Sequence, residues 1–80
     1  MARYAANTKL SPEEAIKKAV AYFSGNLGLE LKKQDARRVS FVGGGGHVAV
    51  SASAGDKQTE VELETREWDY QVRQFMQEIA

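Results

Sequence analysis

Arg38-Val39-Ser40-Phe41-Val42-Gly43-Gly44-Gly45-Gly46-His47-Val48-Ala49-Val50-Ser51 is the stretch on which the fold turns. Apolar residues occupy alternate positions on both sides of the glycines: Val39 and Phe41 before them, Val48 and Val50 after. Successive strand side chains point to opposite faces, so each arm has one apolar side, and glycine supplies the backbone freedom of a turn. Pairing Val42 with His47 places Phe41 opposite Val48 and Val39 opposite Val50, so all four share a face. A slip of one residue would reverse one arm. The stretch predicts an antiparallel hairpin.

The same parity extends the sheet in both directions. Ala54-Gly55-Asp56-Lys57 is turn chemistry, and a two-residue loop at Gly55-Asp56 pairs Ala52 with Thr59, Val50 with Val61 and Val48 with Leu63. That register sets His47 opposite Glu64. Upstream, Leu27, Leu29 and Leu31 alternate with Gly28, Glu30 and Lys32, predicting a strand that brings three leucines to one side. Lys33 to Arg37 turn the chain, and the leucines meet Val39 and Phe41 only across a three- or five-residue loop or a bulge. Tyr4, Ala6, Thr8 and Leu10 alternate as a short first strand.

Two helices complete the chain. Ser11-Pro12-Glu13-Glu14 has the form of a capping box with proline at the first helical position, and Ile16, Ala19, Val20 and Phe23 follow on one stripe. Ser24-Gly25-Asn26 is expected to end that helix, with Gly25 left-handed. Thr65 is the expected cap of a second helix, whose stripe is Trp68, Val72, Phe75, Met76 and Ile79. A sheet apolar on one side needs a cover, and amphipathic helices need a floor. The chain therefore reads as one α+β domain over residues 1–80. It has two layers: an antiparallel sheet of four to five strands, and two helices packed on one face, in the order β-α-β-β-β-β-α.

This order, with Ser11-Pro12-Glu13-Glu14 opening the first helix and the Trp68 to Ile79 stripe on the last, resembles a compact form of the helix-grip fold of START and Bet v 1-like proteins. The resemblance implies an apolar ligand held between the sheet and the last helix. The chain has fewer strands than those proteins, which leaves less room for a cavity, and no site residue transfers.

Composition narrows the function classes. Eleven basic residues balance eleven acidic ones, so no overall field draws the protein to nucleic acid or an anionic membrane. There is no cysteine, hence no disulfide, thiolate metal site or cysteine nucleophile. The first residues lack the apolar run of a secretory signal, and no segment reaches the roughly 18 to 20 apolar residues of a membrane span. A cytoplasmic protein without a membrane partner is expected.

The individual motifs carry little chemistry. Phosphate loops lead from a strand into a helix, whereas the glycines here lead into another strand, so they read as a hairpin loop. His47 is the single histidine, and with Glu64 and Glu62 beside it the set of ligands for a metal is incomplete. Glu60, Glu62 and Glu64 stand about 7 Å apart along an exposed strand face and read as a solvated edge rather than an acid–base pair. Lys32, Lys33, Arg37 and Arg38 form a basic hairpin tip without the aromatic residues that stack nucleic-acid bases. No catalytic, cofactor or metal residue is assigned.

The outer face of the fourth strand is less ordinary. After His47 it carries only Ala49, Ser51 and Ser53, where exposed strands favour large β-branched or charged residues. A flat patch of small side chains between opposite charges suits another sheet, and a two-fold dimer would set the patch against itself. Val42, His47, Ala49, Ser51, Ser53, Glu60, Glu62 and Glu64 are the expected interface. The expected function is non-enzymatic binding, to a second copy or another protein; the alternative is a helix-grip-type carrier of a small apolar ligand.

Overall fold

Both helices lie on one face of a five-stranded antiparallel sheet in the computed structural model, which describes residues 1–80. The elements are β1 (Ala2–Thr8), α1 (Pro12–Ala19) running on as a π-helical stretch (Val20–Asn26), β2 (Glu30–Gln34), β3 (Arg38–Gly43), β4 (Gly46–Ala54), β5 (Thr59–Arg66) and α2 (Asp69–Ile79). The spatial order is β1-β5-β4-β3-β2, a meander whose last strand returns to pair with the first.

The glycine hairpin has the predicted register, with Val42 opposite His47, Phe41 opposite Val48 and Val39 opposite Val50. Its turn is tighter than four free glycines: Gly43 pairs with Gly46, and Gly44 and Gly45 take φ of +57° and +79°. Two consecutive positive φ values are what a two-residue primed turn requires, and its twist suits the flanking strands.

The second hairpin departs from expectation by two residues. Ala54 pairs with Thr59, Ala52 with Val61, Val50 with Leu63 and Val48 with Thr65. The loop is Gly55 to Gln58, closed by the Gly55 N–H donating to the Gln58 carbonyl at 2.8 Å. A shift of two leaves every face assignment intact, which is why parity could not distinguish the registers. One consequence is that His47 lies opposite Arg66, not Glu64; Glu64 lies opposite Ala49.

The leucine strand is also shorter than its alternation suggests. Leu27 belongs to the end of the π-helical stretch, where its N–H donates to the carbonyls of Tyr22 and Ser24. Gly28, rather than Gly25, takes the left-handed conformation, with φ of +73°. Leu29 is buried and Leu31 pairs with Phe41; a register shift between Leu31 and Lys33 is a bulge, one of the arrangements parity allowed. The π-helical turn brings consecutive residues Tyr22 and Phe23 into the core region, their rings edge-on at 5.0 Å.

The capping box at Ser11 and Glu14 forms as predicted, each side chain bonding the other's backbone N–H. Thr65 does not cap the second helix. It is buried in β5, and its hydroxyl donates to the His47 carbonyl at 2.8 Å. The strand continues to Arg66, Glu67 turns the chain at φ of +77°, and α2 starts after Trp68 without a side-chain cap.

Between the layers, Phe23 packs against Phe41 and Phe75 at ring separations of 5.5 and 5.3 Å. Val48, Val50, Val61, Leu63, Val72 and Ile79 join them in one buried cluster. Phe23, Phe41 and Phe75 thus lie between α2 and the sheet. What the resemblance retains is the coarse architecture: a small α+β fold with helices laid on one face of an antiparallel sheet.

Candidate functional site

With both helices on one side, the other face of the sheet is uncovered. Strand alternation sends Val39, Phe41, Val48, Val50, Val61 and Leu63 inward, all buried. The intervening side chains of β3, β4 and β5 therefore point outward. Cross-strand registers arrange them in rows. One row runs Arg3, Glu64, Ala49, Ser40 and Lys33 from β1 to β2. The next runs Ala5, Glu62, Ser51 and Arg38 from β1 to β3.

The small side chains of these rows, flanked by charged ones, border an open hollow. Ala49, Ser51 and Ser40 form a low floor, with Glu62, Glu64 and Arg3 on one side and Lys33, Arg38 and Asp35 on the other. The open hollow between them measures about 920 Å³. A second hollow of about 450 Å³ is lined by Lys9, Lys18, Gln58, Glu78 and the chain's last residues, Ile79 and Ala80.

None of the charged side chains that line the trough is in an ion pair of the chain, although Arg3 stands opposite Glu64. Its two ion pairs lie elsewhere: Lys32 with Glu30 at 3.2 Å, and Arg37 with Glu13 at 3.4 Å. They divide the basic cluster at the first hairpin tip. Lys32 is held along the β2 edge and Arg37 is drawn to α1, which leaves Lys33 and Arg38 on the open face. Asp35 is occupied in the turn, its Oδ1 accepting from the N–H groups of Arg37 and Arg38 at 2.8 and 2.9 Å.

All eight sequence-selected residues lie on this side of the sheet, but not equally close to the trough. Ala49, Ser51, Glu62 and Glu64 line it. Val42 and His47 pair beside the glycine turn, and Ser53 and Glu60 pair toward the other end. The sequence selection omitted Lys33, Ser40, Arg38 and Arg3, which complete the rows. For Arg38 and Ser40 the signal was present in the glycine-hairpin register, where Arg38 falls opposite Ser51 and Ser40 opposite Ala49.

Chemically the face is polar, with charge divided across it. His47 stands four and six residues from Ser51 and Ser53, about 13 and 20 Å along a strand, too far to take a proton from either hydroxyl. No three His, Asp or Glu side chains gather as a metal site. No helix is long and apolar enough to cross a membrane. No family model matches the chain, and no curated protein matches it.

Proposed function

We propose that this domain is a non-enzymatic interaction module that associates with a second copy of itself through the open face of its sheet. The observation that carries this reading is the floor of small side chains between Glu62 and Glu64 on one side and Lys33 and Arg38 on the other, none of which forms an ion pair within the chain, with Arg3 opposite Glu64 in the neighbouring strand. Small residues allow close approach of another backbone layer. Walls of opposite sign make the surface complementary to its own copy, as a two-fold interface must be.

Size sets the expected strength. Five strands about 4.8 Å apart, with six residues of each rising about 3.3 Å, present a face roughly 20 Å square. Two such faces bury on the order of 1,000 Å² in total, near the low end of specific interfaces, so the dimer should be weak and reversible. Sedimentation velocity over a concentration series tests this. The expected result is a monomer–dimer equilibrium in the micromolar range, abolished by Ser51→Arg, which fills the floor. A mass that stays at the 8.8 kDa of one chain up to millimolar concentration would overturn it.

A further inference from the structure

The sheet ends at β1 with backbone groups that nothing in the chain satisfies. We infer that this edge receives an extended segment of another protein, added as a further antiparallel strand, with a basic side chain opposite Ala5. The site is the edge of the sheet and not its open face, so it is separate from the self-association proposed above.

Hydrogen-bond parity identifies the free groups. In an antiparallel ladder, pairs that exchange both bonds alternate with pairs that exchange none, so successive residues aim their N–H and C=O to opposite sides. The two-residue turn makes Gly43 and Gly46 a bonded pair. Counting by twos across the registers, Ala49 and Ser51 turn to β5, Leu63 and Val61 turn to β1, and Tyr4 and Ala6 bond them. The Ala52 N–H on the Arg37 carbonyl and the Gly55 N–H on the Gln58 carbonyl keep the same phase. Arg3, Ala5 and Asn7 therefore direct their backbone groups away from the sheet. No hydrogen bond of the chain reaches them, and all three residues are exposed.

The two edges are not alike. β2 has five residues, a bulge and the charges of Glu30, Lys32 and Lys33, devices that keep an edge from pairing. β1 has seven residues in unbroken register, no proline and one charge, Arg3.

Side chains beside the β1 edge set the chemistry of its occupant. On the helical side Tyr4 and Ala6 are half-buried. The Tyr4 hydroxyl donates to Asp69 at 2.6 Å and the Arg73 guanidinium lies over its ring, so this side suits apolar residues and disfavours a second cation. On the open side Glu64, Glu62 and Glu60 stand behind Arg3, Ala5 and Asn7. Arg3 supplies a cation opposite Glu64, but Ala5 supplies none opposite Glu62. A lysine or arginine opposite Ala5 would be two strand spacings, about 10 Å, from Glu62, and its long stem can pass over the alanine methyl towards the carboxylate. The occupant is thus an extended segment with apolar residues on one side and a central basic residue on the other. Main-chain bonds supply its affinity and alternate side chains its specificity.

The probe is a labelled peptide with blocked ends, Ser-Thr-Val-Lys-Val-Thr-Ser, whose lysine falls opposite Ala5 and whose valines fall opposite Tyr4 and Ala6. Residue-resolved hydrogen exchange on the full chain should show the Arg3, Ala5 and Asn7 amides exchanging freely without peptide and protected at saturation. Glutamate in place of the peptide's lysine, or Glu62→Lys in the protein, should weaken binding at least tenfold, and the two changes together should restore it to within a few-fold. Ala5→Pro, which an edge strand tolerates where the lost N–H faces solvent, should abolish binding while circular dichroism shows the fold kept. Binding that survives Ala5→Pro, leaves those amides unprotected or ignores the sign of the central residue would overturn the inference, as would none at millimolar peptide. Protection that grows with the chain's own concentration, without peptide, would assign the edge to a second copy and overturn it too. The self-association through the open face is read from mass with Ser51→Arg, so it stands or falls separately.

Discussion

Trp68 donates its indole N–H to the carbonyl of Gly43 at 2.9 Å, fastening the junction between β5 and α2 to the rim of the glycine hairpin. The neighbouring glycines bear on this contact differently. A Cβ at Gly46 would overlap the Arg66 carbonyl oxygen, and one at Gly44 would come within 3.0 Å of the indole ring; at Gly45 it would meet nothing. Gly45→Ala should therefore cost about 1–2 kcal/mol, for the left-handed conformation alone. Gly46→Ala should cost more despite its ordinary φ, because backbone must move. Urea unfolding followed by Trp68 fluorescence orders the two, and equal costs would contradict the close approach.

Phe23 links the π-helical turn to both the sheet and α2 through Phe41 and Phe75. Truncating a buried phenylalanine to alanine typically costs about 3–5 kcal/mol, comparable to the whole stability of a domain this size. Phe23→Ala and Phe75→Ala should each leave the protein at the edge of unfolding at 25 °C. Phe23→Leu and Phe75→Leu, milder changes, should show non-additive costs in a double-mutant cycle because their rings are in contact. Additive costs would mean that the rings do not share one packed site.

These elements also show what the sequence could reveal. Period-two alternation made the inward faces of β3, β4 and β5 legible, since a slip of one residue would have exposed Val48 and Val50. It could not fix the β4–β5 partners, because a slip of two exposes nothing. The error carried His47 to the wrong neighbour and left Thr65 looking like a helix cap. Leu27 misled for a related reason: its alternation with Leu29 and Leu31 is also compatible with the end of a widened helix. For the trough, the small residues of β4 were conspicuous in the sequence. The loss of Arg37 to Glu13 was not, because it depends on where α1 comes to rest.

Thr8 closes the sheet against the C-terminus of α2. Its buried hydroxyl donates to the Ile79 carbonyl and accepts from the Leu10 N–H at 3.2 Å. The last carbonyls of a helix lack partners within it, so this bond satisfies a group that would otherwise be orphaned. Thr8→Val keeps the shape and removes the hydroxyl, which should cost about 1–3 kcal/mol, while Thr8→Ser should retain much of the bonding. Faster amide exchange near Ile79 in Thr8→Val would show where the loss falls. Equal stability of the valine variant and the original chain would refute the role of the bond.

The capping box of α1 makes part of the stability depend on pH. Glu14 Oε1 accepts from the Ser11 N–H at 2.9 Å, and the Ser11 hydroxyl accepts from the Glu14 N–H at 3.2 Å. The backbone bond from Ser11, followed by the Ser11 side chain, holds the Glu14 carboxyl below its ordinary value of 4.5. A carboxyl depressed on folding binds more protons in the unfolded chain, so its contribution to stability is present above about pH 4.5 and fades as pH falls through the folded value. Glu14→Gln should therefore be less stable than the original chain at pH 7, and the difference should narrow on acidification below pH 4.5. Ser11→Ala, which removes the cap itself, should cost about 1 kcal/mol at pH 7. Thermal melts of the three proteins between pH 7 and pH 3 measure this. A Glu14→Gln deficit that stays constant with pH would show that the carboxylate charge has no part in holding the first turn.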